Sequence, residues 1–121
     1  MNQPARPAPS PAPLRVERLA RQACQALAPL LPALDRVDRD LSRQLRRAAT
    51  SAALNVAEAQ GLRAGHRRER LATALGSARE ARMALLLVAD LGLLPAERLA
   101  QPADRFDHLA ASLYRLLHPR R

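Results

Sequence analysis

Residues 43–82, RQLRRAATSAALNVAEAQGLRAGHRRERLATALGSAREAR, constrain the fold more than any other stretch of the chain. They hold two long arms, with no proline in either, around a short segment bounded by Gly61 and Gly65. The first arm carries Ser51, Asn55 and Glu58, and the second carries Thr73, Ser77 and Glu80. Each set has the spacing i, i+4, i+7, which gathers it on one helical face. If the arms fold back on each other about Ala64, the shared helical rise sets Ser51 opposite Ser77 and Asn55 opposite Thr73. Glu58 then faces Arg70, and Arg47 lies close to Glu80. The pattern predicts a helical hairpin with a polar seam and an ion pair near each end. The seam is either a row of surface residues or a partly buried layer that fixes helix register, as a buried Asn does in coiled coils.

The remaining chain supplies further helices. Val16, Leu19, Ala23 and Leu27 recur at helical spacing and predict a first helix over 14–28, ended by Pro29 and Pro32. Leu30, Leu31 and Leu34 continue the core through a bent connection. The second helix starts at Asp38 or Asp40, both suitable caps, and Gly61 suits its C-terminal cap. Its apolar positions are Leu41, Leu45, Ala48, Ala52, Val56 and Ala59.

The third helix is expected from Gly65–Arg67 to Leu91, with Gly92 as terminator. Leu71, Ala74, Ala78, Ala81, Leu85 and Val88 form its stripe, while Met83, Leu86 and Leu87 lie off it. A helix apolar nearly all round is hard to bury in 121 residues, so Met83, Leu86 and Leu87 mark an expected subunit interface. Pro95 suits the start of the last helix, and Pro102 makes it either kinked or divided. Phe106, Leu109, Leu113, Leu116 and Leu117 give its apolar face.

Ala and Leu supply 49 residues, and Phe106 and Tyr114 are the only aromatics, a composition that favours helix over strand. The expected fold is all-α, an antiparallel up-and-down four-helix bundle over residues 14–121. Residues 1–13, MNQPARPAPSPAP, read as a disordered Pro-rich tail, either a plain terminus or a docking peptide for a Pro-recognising module. There is no apolar signal-peptide core, and the run Met83–Leu94 is interrupted by Asp90 and Gly92, so no membrane span is expected. The one cysteine, Cys24, excludes an intrachain disulfide and fits a cytoplasmic setting.

The net charge is +9, carried by 20 basic residues, all of them Arg. The excess over acids points to a polyanionic partner. Arg36, Arg39, Arg43 and Arg46 recur at 3-4-3 spacing as a basic stripe on the second helix, and Arg63, Arg67, Arg68 and Arg70 cluster at the turn. With so few aromatics, binding to RNA or DNA would be phosphate-directed and salt-sensitive. The competing reading is a solvated face neutralised by Asp35, Asp38, Asp40 and Glu69.

Enzyme chemistry is not expected. No Glu-x-x-His pair supports a di-metal centre, and His66, His108 and His118 lack ligand spacing. Ser51, Asn55 and Ser77 lack an adjacent base, and the glycines form no P-loop. No catalytic residue, metal or cofactor is assigned.

Residues 41–94 resemble the family of small four-helix-bundle proteins named after the 23S rRNA intervening sequences in which some members are encoded. The resemblance rests on Gln44-Leu45-Arg46-Arg47-Ala48-Ala49-Thr50-Ser51, Asn55-Val56-Ala57-Glu58, Gly76-Ser77-Ala78-Arg79-Glu80 and Asp90-Leu91-Gly92-Leu93-Leu94. The chain departs from the family pattern at Ala52, where a proline is common, at Ala59, where the pattern has glycine, and in its Pro-rich tail. The resemblance implies a cytoplasmic bundle that assembles as a ring-shaped homopentamer. A related branch serves as the accessory subunit of reverse transcriptases in diversity-generating retroelements and binds nucleic acid through a basic surface. The resulting expectation is a non-enzymatic basic scaffold for RNA or RNA/DNA, with a reverse transcriptase as a candidate partner. The alternative is a protein-interaction module with no nucleic-acid role.

Overall fold

The structure is a computed structural model that describes residues 12–120, with side chains from Arg15 onward. Of the segment 1–13 read above as a tail, residues 1–11 lie outside the described residues, whereas Ala12 and Pro13 already belong to the first helix. Helix α1 spans Ala12–Leu27, and a 3-10 turn over Ala28–Leu30 leads into the short helix α2, Leu31–Val37. Three long helices follow, α3 at Arg39–Ala59, α4 at Ala64–Asp90 and α5 at Ala96–Leu117. The described residues are all-helical, a helical bundle of four long helices and no strands.

The local chemistry explains the boundaries. Pro29 and Pro32 sit where a missing amide donor is tolerated, at the start of the 3-10 turn and of α2. Asp38 is extended and separates α2 from α3, and its Oδ1 accepts from the Leu41 amide at 3.0 Å. The α3–α4 connection closes with i→i−3 bonds, Gly61 N to Glu58 O and Leu62 N to Ala59 O, at 3.3 and 3.2 Å. Gly61 is not in the left-handed conformation expected of a glycine cap. Gly92 is, at φ 68°, and it ends α4 with bonds from Gly92 N to Ala89 O and Leu93 N to Val88 O. That pair of bonds is the Schellman arrangement.

Pro102 lies inside α5 without dividing it. The lost amide would have served the Arg98 carbonyl in the helix's exposed first turn, where water can satisfy it.

The core is contributed by every long helix. Phe106, Leu45, Leu109, Leu113 and Ala74 are fully enclosed, and Leu71, Ala74, Ala78, Ala81, Leu85 and Val88 of α4 are all buried. On α3 the buried row is Ser42, Leu45, Ala49, Ala52, Val56 and Ala59, with Ala48 beside it. Leu41, the expected core position, is only partly buried, and Ser42 takes the place instead. Partners along α3 rise in number as those on α4 fall, with Ser51 meeting Ser77 and Glu58 meeting Arg70. The same inverse order links α4 to α5, through Arg68 with Leu117 and Arg82 with Asp107.

Candidate nucleic-acid interface

The hairpin seam is a continuous polar network. The Ser51 and Ser77 hydroxyls share a hydrogen bond at 2.8 Å. Asn55 Nδ2 donates to the Ser51 carbonyl and hydroxyl, at 2.9 and 3.2 Å. Arg70 Nη1 donates to Asn55 Oδ1 at 3.4 Å and pairs with Glu58 Oε2 at 3.3 Å. Ser51, Asn55 and Ser77 are half-buried, while Glu58 and Arg70 are exposed. Thr73 does not face Asn55 with a bond; its hydroxyl donates to the Glu69 carbonyl of its own helix. Arg47 and Glu80 are exposed and form no ion pair among the described residues, so only one end of the seam carries one.

Ser42 is a buried polar residue that sequence spacing did not single out. Its hydroxyl donates to Asp35 Oδ1, and Asp35 Oδ2 accepts from Arg46 Nη2 at 3.4 Å. This cluster ties α2 to the first turns of α3.

The arginines divide into two separate groups. Arg36 belongs to α2, because extended Asp38 interrupts the helix, so it does not continue the stripe of Arg39, Arg43 and Arg46. Arg39 and Arg43 are exposed and make no ion pair among the described residues, whereas Arg46 is held by Asp35. The α3–α4 turn lies at the other end of the bundle from Arg39, about 30 Å along α3. There Arg63 is exposed and Arg67 half-buried, with no ion pair among the described residues. Arg68 is partly committed to structure, since its Nη1 donates to the Leu117 carbonyl at 2.7 Å.

Folding brings the start of α1 and the close of α5 to that turn. Gln60 Nε2 donates to Glu17 Oε2 at 2.7 Å, and Arg68 reaches the end of α5, so the start of α1 and the close of α5 flank it. In this half, residues 12–21, 50–74 and 108–120 contribute nine arginines against three glutamates. The opposite half, residues 22–49 and 75–107, contributes nine arginines against eight carboxylates. Nearly all of the net positive charge of the described residues therefore sits at the turn end. Arg15, Arg115 and Arg120 belong to it and were not singled out from sequence, because nothing local to them shows that they meet the turn.

The expected interface residues lie on the outer side of α4. Met83 and Leu87 are 53% and 40% exposed, and Leu86 is half-buried. Met83 shares a groove with Ala110, Ala111 and Tyr114 of α5, beside the Arg82–Asp107 pair at 3.4 Å. Cys24 is half-buried, its Sγ donating to the Ala49 carbonyl at 3.6 Å, and burial raises its pKa. Among the described residues no cluster of His, Cys, Asp or Glu could hold a metal, and no helix is long and apolar enough to cross a membrane.

Comparison with known proteins adds three findings. The sequence model of the 23S rRNA-intervening sequence proteins matches residues 13–115. A 1.70 Å crystal structure of a protein with unknown function from the S23 ribosomal protein family of Bacteroides thetaiotaomicron VPI-5482 aligns with a TM-score of 0.77. It is 19% identical, and the alignment covers 85% of this chain and 98% of that one, a likeness that speaks to fold alone. No curated protein matches the chain.

Proposed function

The chain belongs to the 23S rRNA-intervening sequence protein family, and on that premise we propose that it is a non-enzymatic, homo-oligomeric scaffold that binds RNA or DNA through phosphate contacts. The observation that carries this reading is the one-sided charge, nine arginines against three glutamates at the turn end. Arg63 and Arg67, with no ion pair among the described residues, are the first phosphate ligands in this reading. A guanidinium can bond two phosphate oxygens at once, so a few exposed arginines suffice for a weak contact. Arg39 and Arg43, in the nearly neutral half, are assigned no phosphate contact in this reading.

The bundle is read as antiparallel and up-and-down, a reading supported by the inverse order of contacts between helices. The exposed Met83 and Leu87 support self-association through α4, and a pentameric ring would multiply weak phosphate contacts into avidity. Service as a reverse-transcriptase accessory subunit in the cytoplasm is the narrower form of the same reading. A second reading, a protein-interaction module without nucleic acid, draws on the Met83–Tyr114 groove.

Fluorescence anisotropy with a labelled oligonucleotide across a salt series tests the proposal. Two to four phosphates contacted per site predict a slope of about −2 to −4 in log affinity against log salt. The Arg63→Ala, Arg67→Ala double variant should weaken binding and flatten that slope. Absence of binding at low salt would instead favour the interaction module.

A further inference from the structure

The geometry points to the groove between α1 and α5 as a track for single-stranded nucleic acid. This rests on the phosphate-binding reading above and gives it a specific place and substrate class. At the turn end the groove is lined by Arg15, Val16, Leu19, Ser112, Arg115 and Leu116. Toward the other end Gln22, Gln25, Gln101 and Arg105 take over. Arg15, Leu19, Gln22, Ala26 and Pro29 recur at 4-3-4-3 spacing, and Gln101, Arg105, His108, Ser112 and Arg115 do the same. Arg15 to Ala26 therefore hold one face of α1, with Pro29 just past it in the 3-10 turn, the second set holds one face of α5, and the two faces flank one seam about 20 Å long.

Its chemistry is one-sided. No carboxylate lines either stretch. Arg15, Arg105 and Arg115 form no ion pair among the described residues, and Arg115 Nη2 donates to the Ser112 hydroxyl at 3.1 Å. Two guanidinium groups lining one pocket without a counter-charge repel each other, and an anion between them relieves that repulsion. The floor is apolar, with Val16 buried and Leu19 and Leu116 half-buried. A strand laid here would set phosphates on the arginines and base faces on the aliphatic floor. The glutamine amides, each both donor and acceptor, would reach base edges.

Those edges are open in a single strand and paired in a duplex. Packed helices stand about 8–10 Å apart, so the seam between them suits a single strand. The absence of aromatic side chains from the lining removes stacking, so affinity should be modest and strongly salt-dependent.

The test uses the full chain and a labelled RNA of about 15 nucleotides, offered single-stranded and as a blunt duplex. Anisotropy should show the single strand bound more tightly. Arg15→Ala with Arg115→Ala should weaken single-strand binding by about tenfold, while Arg39→Ala with Arg43→Ala changes it by less than about threefold. All four side chains are exposed, and unchanged melting curves will show that each variant still folds. Gln22→Ala with Gln101→Ala should lower affinity without altering the salt slope. Equal or better binding of the duplex overturns the proposal, as does a larger loss from the α3 pair, and both leave the phosphate-binding function standing. No binding of either form removes the function and the groove together. Binding of polyglutamate in place of RNA overturns the proposal in favour of an acidic polypeptide.

Discussion

Replacing Ser42 by alanine is the sharpest test of how the bundle is held at its α2–α3 corner. The side chain is fully buried, and its hydroxyl donates to a carboxylate, Asp35 Oδ1. A hydrogen bond to a charged group contributes about 1.5–3 kcal/mol, above the neutral average. Three effects bear on the net loss. Alanine is the better helix former by up to about 0.5 kcal/mol. The Asp35 side chain is 45% exposed, so water recovers part of its solvation. Asp35 also keeps the contact from Arg46 at 3.4 Å. The expected net destabilisation is about 1–2 kcal/mol, a fall in melting temperature of about 4–8 °C for a chain of this size.

Urea unfolding should show a lower midpoint with an unchanged slope, since the surface exposed on unfolding is the same. Asp35→Ala strands the Ser42 hydroxyl, which can turn back to the Asp38 carbonyl one helical turn earlier. The double variant should then be less destabilised than the two single losses added together, by about 1 kcal/mol. A neutral or stabilising Ser42→Ala, or a strictly additive cycle, would refute the argument that this bond anchors α2.

Other perturbations address separate parts of the account. Arg68→Ala removes the donor to the Leu117 carbonyl and should cost about 1 kcal/mol, seen as faster amide exchange in the last turn of α5. Met83→Glu with Leu87→Glu places charge on the exposed side of α4 and should yield monomers by light scattering, with melting of the bundle little changed. Burial raises the Cys24 pKa above 9.0, so the folded thiol should be alkylated more slowly than the unfolded one. Because the folded value is the higher, the stability it contributes is present below pH 9.0 and is lost as pH rises through the folded pKa. The urea midpoint of the wild type should therefore drop relative to Cys24→Ala above pH 9.0.

The helical periodicity of α4 and α5 was legible in the residues, because Leu71 to Val88 and Phe106 to Leu117 repeat without interruption. The hairpin register was legible for a related reason: equal helical rise on both arms sets Ser51 against Ser77, and their hydroxyls stand 2.8 Å apart. What stayed hidden depends on tertiary partners. Leu41 is the more apolar neighbour, yet Ser42 occupies the core, and only the fold supplies Asp35 to satisfy it. Arg36 looks continuous with Arg39 in spacing, but extended Asp38 breaks the helix between them. The arginines of the turn could be read locally. The contribution of Arg15 and Arg115 could not, since it arises from where the first and last helices end in space. For the same reason, the α3 stripe stood out in sequence although its half of the bundle is nearly neutral.

The most direct test of the central claim is light-scattering mass, together with the ratio of nucleic-acid to protein absorbance, on protein purified at about 50 mM and then about 1 M salt. An oligomer of several subunits that carries nucleic acid at low salt and sheds it at high salt is the expected result. Protein free of nucleic acid at both salts would contradict it and leave the charged end as solvated surface.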